Sequence, residues 1–463
     1  MSEKKNDSEI AVNSPREVDR ALTKLALPSL GTLLVEPLLV AVDSTMVGRL
    51  GTAQLAGLSL ASAILTTVVG LCIFLTYATT AATARAVGHH EQTKAARLGI
   101  DGLWLAAGLG ITLGAILFLF SPQILQLFAP RPEVLSQASA YLRASAFGLP
   151  GMLLVLAGTG ALRGFSNAKT PLIASVAGAL INIPLNFLLI YGVGLGIAGA
   201  GFGTAIAQSG MGWYLTWSFL RISRNLGVSL RPSGSGVLKS LHDSVPLIIR
   251  TISLRAALLL QIAAATALGT VALATNQIVA SMWNFAAYGL DALAIAAQIL
   301  VGQGLGSSDT RKVRMILQRC LRWGLRAGLI LGLAFAILAM FIPRLMSPDP
   351  QVQTLGMYTI WLTSLALPIA SIAYMLDGVL IGAGDTRKLA KYMLISLFAF
   401  TPISGTLILF GAHFVHLFPA TQPSALNVGT IIGMLLLWLG YAIVFMGARA
   451  ATAFHRVKSD AWI

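Results

Sequence analysis

The sequence predicts an all-α membrane protein of about 12 transmembrane helices, arranged as two parallel six-helix repeats. Three observations carry that prediction: the composition, a succession of long apolar runs, and a self-match at constant offset. Of 463 residues, 56% are hydrophobic and 11% charged, and the mean hydropathy is +0.79. A soluble globular chain is typically about 25% charged. The apolar residues gather into runs of about 20, each long enough at 1.5 Å per residue to cross a hydrocarbon core of roughly 30 Å.

The first 20 residues (MSEKKNDSEIAVNSPREVDR) are polar and mixed in charge, without the short apolar core or small-residue cleavage site of a signal peptide, and read as a cytoplasmic tail. Spans follow at 22–47, 54–86, 97–120, 136–162, 171–191 and 197–221. A second set follows at 242–266, 271–303, 315–342, 354–382, 389–413 and 425–448. The organisation expected is an N-lobe over 21–220, a cytoplasmic linker over 221–241, a C-lobe over 242–450 and a tail over 451–463. The linker reading rests on the Gly- and Ser-rich stretch from Arg221 to Lys239.

Short loops rich in Lys and Arg stay cytoplasmic. The tail carries Lys4, Lys5, Arg16, Arg20 and Lys24, and alternate connections carry Arg85, Lys94 and Arg97, then Arg163 and Lys169, then Arg221, Arg224, Arg231 and Lys239. In the second half, Arg311, Lys312, Arg314 and Arg319, then Arg387, Lys388 and Lys391, then Arg449, Arg456 and Lys458 continue the alternation. The other connections offer Arg49, Arg131, Arg143 and Arg344. Both termini are therefore expected in the cytoplasm. The net charge of +15 is spread over every inward loop, which fits topology and contact with anionic lipid rather than a nucleic-acid partner. Cys72 and Cys320 fall in or beside different spans and imply no disulfide.

The self-match has an offset of 218 residues and runs without gaps over about 140 positions. It places Pro28 on Pro246, Gly51-Thr52 on Gly269-Thr270, Gly88 on Gly306, Lys94 on Lys312, Pro130 and Pro132 on Pro348 and Pro350, Leu149-Pro150 on Leu367-Pro368, and Leu162 and Gly164 on Leu380 and Gly382. Apolar composition alone does not bring prolines and loop glycines into register. With about six helices between equivalent points, the two halves enter the membrane in the same direction. Parallel repeats of that kind occur in transporters, whose substrate site lies between the lobes.

Glu36-Pro37-Leu38-Leu39 through Val42-Asp43-Ser44-Thr45-Met46-Val47-Gly48-Arg49-Leu50-Gly51 resembles the first-helix signature of the DinF-like branch of the multidrug and toxic compound extrusion (MATE) family. Asn182-Ile183-Pro184-Leu185-Asn186 is similar to its fifth-helix motif, and Gly199-Ala200-Gly201-Phe202-Gly203-Thr204 to the start of its sixth helix. Arg163-Gly164 with Lys169-Thr170-Pro171, and Ile381-Gly382 with Asp385-Thr386-Arg387, resemble its paired loop motifs, so that the resemblance covers roughly residues 20 to 450. It implies a V-shaped, two-lobe bundle in the inner (plasma) membrane. That protein would be a secondary active multidrug exporter, moving amphipathic, mostly cationic xenobiotics by alternating access against inward flow of protons or sodium ions. No cofactor is implied, and a monomer is expected.

An ionisable group inside a spanning helix is expensive and usually functional. Asp43 is the leading candidate, because a carboxylate facing a cavity exchanges a proton for a cation, the minimal chemistry of antiport. Asn182 and Asn186 lie four apart on one helix face, with Pro184 between them freeing a backbone carbonyl. They match Asp43 and Thr204 in depth, as one polar cluster or as helix-to-helix hydrogen bonding. Family members often carry an aspartate where Asn186 stands, so the resemblance favours a single-carboxylate proton mechanism over a high-affinity sodium site. Glu36, seven residues before Asp43, is a second relay or a kink partner of Pro37. The offset carries Glu36 to Leu254 and Asp43 to Gln261, which places coupling in the N-lobe.

In the C-lobe, Arg255 and Asp291 fall near the middle of two spans, as a buried pair or as substrate contacts. Asp377 lies nearer the cytoplasm, where a gate or loop contact is expected. Tyr288, Trp283, Asn276, Gln277, Asn284 and Gln298 are candidates for the cavity lining. Gly194, Gly196 and Gly199 match a dinucleotide-binding spacing, but in a short turn between spans rather than after a strand. His89-His90, and His413 with His416, lack nearby Cys or carboxylate ligands, so no metal is expected. A membrane enzyme would show paired carboxylates or His clusters and loops long enough to shape a site, and neither is visible. A lipid-linked oligosaccharide flippase is the alternative transporter, for which Arg143, Arg250 and Arg255 would hold a pyrophosphate.

Overall fold

The computed structural model describes residues 12–417, 426–459 and 461–463. Lys4, Lys5 and the side chain of His416 lie outside the described residues. Among these residues the chain is helical, with no strand. The first half comprises α1 (Pro15–Gly48), α2 (Thr52–Leu71), α3 (Phe74–Gly88), α4 (Gln92–Gln126), α5 (Pro132–Ala146), α6 (Leu149–Gly164), α7 (Lys169–Phe187) and α8 (Ile197–Asn225). The second comprises α9 (Gly234–Ala267), α10 (Thr270–Gly306), α11 (Thr310–Leu338), α12 (Ile342–Met346), α13 (Pro350–Ala383), α14 (Thr386–Leu417), α15 (Val428–Leu439) and α16 (Met446–Lys458). Wider π turns extend α7 over Leu188–Gly192 and join α15 to α16 over Gly440–Phe445. Ten helices are long and apolar enough to cross a membrane, or eleven if the bent α5–α6 pair is one span. The 29-residue α8 is as long as a span but rich in Gly.

The internal repeat is written into the backbone. Adding 218 to the first residues of α2, α4 and α5 gives the first residues of α10, α11 and α13. The left-handed turn residues follow the same rule. Gly51 (φ 143°) pairs with Gly269 (φ 102°), His90 (φ 59°) with Ser308 (φ 56°), and Ser166 (φ 61°) with Gly384 (φ 81°). Only the glycines adopt that region without a steric penalty.

Two predicted spans are broken in the structure, both in the first half. The span 54–86 is divided at Cys72 and Ile73, whereas its counterpart α10 is continuous. The span 136–162 is bent by 50° between α5 and α6. Pro150 has no N–H to offer the carbonyl of Ala146, which removes a ladder bond at that joint. The predicted linker 221–241 is helical at both ends, leaving only 226–233 outside a helix. Gly227 (φ 69°) closes α8, and the N–H of Val228 reaches back to the Ser223 carbonyl at 3.1 Å, a glycine C-cap that a Gly- and Ser-rich composition conceals.

The described residues form two compact units. One holds Thr23–Ile248 together with Gly302–Asp309; the other holds Asn13–Leu22, Ile249–Val301 and Thr310–Ile463. In the first unit, α6 packs on α3 through Gly160 and Gly164, four apart. A Cβ at Gly160 would sit 2.6 Å from the Thr76 carbonyl oxygen, and one at Gly164 would strike the Thr83 hydroxyl. Thr76 and Thr80 on α3 donate across the same seam to the carbonyls of Leu156 (2.9 Å) and Gly160 (3.1 Å). The second unit repeats the seam at the offset of 218: Gly378 and Gly382 of α13 lie on the Ala294 and Gln298 carbonyls of α10. Small residues let helices approach closely where no hydrophobic effect drives them together. The core of the second unit is aromatic: Trp283, Trp438, Tyr441, Phe400 and Phe445 are buried, with ring centroids 5.4–6.3 Å apart.

Candidate functional site: a buried carboxylate and amide cluster

Three helices of the first unit bring predicted site residues together. Near its end α1 carries Asp43, which is buried, and α7 carries Asn182 and Asn186, also buried. The Asn186 amide donates from Nδ2 to Asp43 Oδ1 at 2.7 Å and to Asn182 Oδ1 at 3.1 Å. Pro184, between the two asparagines, leaves the Leu180 carbonyl without its helical donor, and the helix widens into a π turn immediately after Phe187. That turn is tied to α1, since the Tyr191 hydroxyl donates to the Met46 carbonyl at 2.6 Å. The cluster is thus fixed at both the side-chain and backbone level.

From α8, Thr204 bears on the Asp43 carboxylate, although its enclosed hydroxyl has no hydrogen bond of ordinary geometry. Asn186 Oδ1 is buried without a donor. It rests against Gly203, where any Cβ would overlap it, so the glycine is required for the asparagine to point its N–H at Asp43. One participant escaped the sequence reading. Tyr141 of α5 is buried within the field of Asp43, surrounded by the hydroxyls of Ser62, Ser145 and Thr204. Its only sequence signal is the four-residue spacing to Ser145. Glu36 is exposed on α1 and makes no hydrogen bond or ion pair with the Asp43 cluster.

The equivalent position of the second unit, Gln261, is buried with its Nε2 unpaired. The polar centre there is instead a charged triad. Asp377 Oδ2 accepts from Arg250 Nη2 at 2.7 Å and from Arg449 Nη2 at 2.6 Å, and all three residues are buried. Arg449 also lies over the rings of Tyr374 (5.3 Å) and Phe445 (5.7 Å). Asp377, expected to make a gate or loop contact, is therefore a packed ion partner. The Arg255–Asp291 pair does not form. Arg255 shares the exposed face of α9 with Ile252, Leu259 and Ile262, while Ala257, Gln261 and Ala264 face the core. It makes no ion pair or hydrogen bond among the described residues, and Asp291 is half-buried on α10 with other partners.

The expected cavity lining divides. Gln277, Asn284, Tyr288 and Asp291 lie along one side of α10, spaced at seven, four and three residues, and Ser281 completes the stripe. Gln277, Ser281 and Asn284 are exposed. Asn276 and Trp283 are turned about 100° from their neighbours 277 and 284 and belong to the core, with Trp438 Nε1 donating to Asn276 Oδ1 at 3.1 Å. Gln298 is also buried. Those three are packing residues, because the helical period turns 276 and 283 away from 277 and 284. Arg250 is committed to Asp377, whereas Arg143 is exposed and donates only from Nε, to Ser121 Oγ at 3.0 Å. Among the described residues no three His, Cys, Asp or Glu side chains are grouped to hold a metal, and Cys72 and Cys320 are buried free thiols.

Comparison with known proteins completes the assignment. The MatE family model matches twice, over residues 28–188 and 246–406, two segments again 218 residues apart. The chain is 30% identical to protein DETOXIFICATION 44, chloroplastic, of Arabidopsis thaliana over 399 residues, covering 82% of this chain and 75% of that one. It is 28% identical over 406 residues to DNA damage-inducible protein F of Escherichia coli, covering 85% and 87%. A solved MOP superfamily transporter from Pyrococcus furiosus shares its fold with a TM-score of 0.83 at 20% identity, over 100% of this chain and 99% of the other. The repeat, the helix count and these matches lead to one conclusion: the chain is a multi-span membrane protein of the MatE family, a multidrug and toxic compound extrusion transporter and not an enzyme.

Proposed function

We propose that this transporter is a proton-coupled antiporter of amphipathic, mostly cationic organic compounds, acting as a monomer in the inner membrane with both termini in the cytoplasm. Asp43 is its coupling carboxylate. The observation that carries the reading is the hydrogen bond from Asn186 to Asp43 inside a spanning helix bundle. A lone buried carboxylate is stabilised as the anion by one amide donor. On protonation it keeps that bond through its other oxygen lone pairs, so it alternates between the two states without rebuilding the site. Asn182 orients the amide, and Thr204 supplies a hydroxyl that serves as donor or acceptor. Glu36, exposed two turns earlier on α1, is the relay by which a proton reaches the cluster.

The stripe on α10 supports a role in substrate contact. Gln277, Asn284 and Tyr288 offer amides and a phenol along a helix that otherwise packs with apolar residues, and Asp291 is the carboxylate for a cationic nitrogen. On this reading Arg255, exposed on α9, is a further substrate contact, and the core residues Asn276 and Trp283 back the stripe. The multidrug resistance proteins MdtK, 24–25% identical over most of the chain, support the substrate class.

A sodium-coupled mechanism is the second reading. It is favoured by the unpaired Asn186 Oδ1 together with Asn182 and Thr204, oxygen atoms of the kind that hold a hard cation. Proteoliposomes holding the purified protein and a cationic dye decide between them when a proton gradient and a sodium gradient are imposed separately. Proton-driven movement alone supports the proposal; sodium-driven movement alone replaces it with the second reading.

A further inference from the structure

The first helix of each repeat begins in the unit that does not hold the rest of it. Helix α1 belongs to the second unit through Leu22 and to the first from Thr23, whereas α9 belongs to the first through Ile248 and to the second from Ile249. Each displaced start is held by a polar clamp, and the two clamps occupy equivalent positions. On α11, Arg319 takes the Asp19 carboxylate of α1 with both Nε (2.9 Å) and Nη2, and Trp323 Nε1 donates to Asp19 Oδ1 at 2.8 Å. On α4, Asp101 lies 218 residues before Arg319. It is buried, accepts from the Ser233 N–H just ahead of α9 at 3.3 Å, and meets the backbone at Gly236 so closely that a Cβ there would strike Oδ2. Arg97 and Trp104, on the same face of α4, donate to the carbonyls of Ser229 (2.9 Å) and Leu230 (3.0 Å).

The charge of the clamp residue is reversed between the repeats, yet each clamp joins a carboxylate to the start of the displaced helix. The Asp101 arrangement sets a carboxylate at the N-terminus of α9, where four backbone N–H groups lack partners and the helix dipole is positive. In α9 that carboxylate is borrowed from α4. In α1 the clamped carboxylate is the helix's own Asp19, one turn in from Pro15 and neutralised by Arg319. Each clamp also recruits an indole N–H about one turn further along. Random packing does not place an acid and a base at equivalent sites with complementary partners.

We propose that these clamps are permanent anchors: each unit holds the start of the other repeat's first helix throughout the transport cycle, so that rearrangement is absorbed within α1 and α9 beyond the anchors rather than by release of their ends. The inference rests on membership of a transporter family, not on the coupling ion or the substrate. The test uses the full-length protein in detergent and in proteoliposomes. Hydrogen–deuterium exchange is read over 13–22 and 229–236 in the wild type, R319Q and D101N. R319Q is expected to accelerate exchange at least tenfold over 13–22 and to leave 229–236 unchanged, and D101N to do the reverse. Exchange that is unchanged in either target segment overturns the clamps. In the second arm D19C/R319C is joined by a short bifunctional methanethiosulfonate, and ethidium movement is compared with that of the same protein after reduction, an uncross-linked wild type serving as the reference. Equal movement before and after reduction supports permanent anchoring; activity that returns only on reduction overturns it. Should the wild type not carry ethidium, the exchange arm alone decides.

Discussion

Replacing Asp377 by Asn removes the carboxylate that two buried guanidinium groups share while nearly preserving shape. Its Oδ2 lies 2.7 Å from Arg250 and 2.6 Å from Arg449, so each attraction is worth roughly 6 kcal/mol at an effective dielectric constant of about 20. Desolvation of three ions, several kcal/mol apiece, and repulsion between the arginines offset most of that sum. What remains on breaking such a group is about 3–5 kcal/mol, because both guanidinium groups stay buried after losing the carboxylate they share. A loss of that size is a large part of a typical margin of about 5–15 kcal/mol. Fluorescence-detected thermal unfolding in detergent is the assay, with D377N expected to unfold at least several degrees below wild type. The triple variant R250M/D377L/R449M is expected to regain most of the difference, since an apolar replacement removes the three buried charges together. D377N melting together with wild type would refute the reasoning.

Gly203→Ala places a methyl group on Asn186 Oδ1 and forces the amide away from Asp43; losing a hydrogen bond to a charged group costs about 1.5–3 kcal/mol, so proton-driven transport should fall at least tenfold while yield is retained, as measured in proteoliposomes. Asn186→Asp sets a second carboxylate against Asp43 and should introduce sodium-driven dye movement, read under an imposed sodium gradient. Gly378→Leu drives a side chain into the Ala294 carbonyl of α10 and should cost more than the about 1–3 kcal/mol of ordinary overpacking, seen as loss of monodisperse protein on gel filtration. Trp438→Phe leaves Asn276 Oδ1 buried and unpaired at a cost of about 1–3 kcal/mol, and should lower the unfolding temperature without changing substrate affinity, measured by dye binding.

Much of this was legible in the sequence because a lipid solvent simplifies the code. Every backbone group in a span must bond within its own helix, so apolar runs and the prolines and glycines between them mark the helices directly. The repeat marked equivalent turns, and Asp43 with Asn182 and Asn186 stood out through a four-residue spacing and an acid near the end of the first span. What sequence did not show is the rotation of each helix about its axis. Asn276 and Gln277 are neighbours in the chain, yet the turn of about 100° between them buries one and exposes the other, and composition ranks them alike. The same blindness paired Arg255 with Asp291, since depth was readable and direction was not. The Asp19–Arg319 clamp joins residues 300 apart and carries no local signal. Tyr141 carries no signal of its relation to Asp43, which lies about a hundred residues away in the chain.

The central claim is that Asp43 couples proton flow to export. Proteoliposomes of Asp43→Asn, reconstituted after gel filtration shows the same monodisperse peak as wild type, are given an imposed proton gradient and a cationic dye. The account predicts no gradient-driven dye movement alongside retained dye binding; movement at the wild-type rate would contradict it.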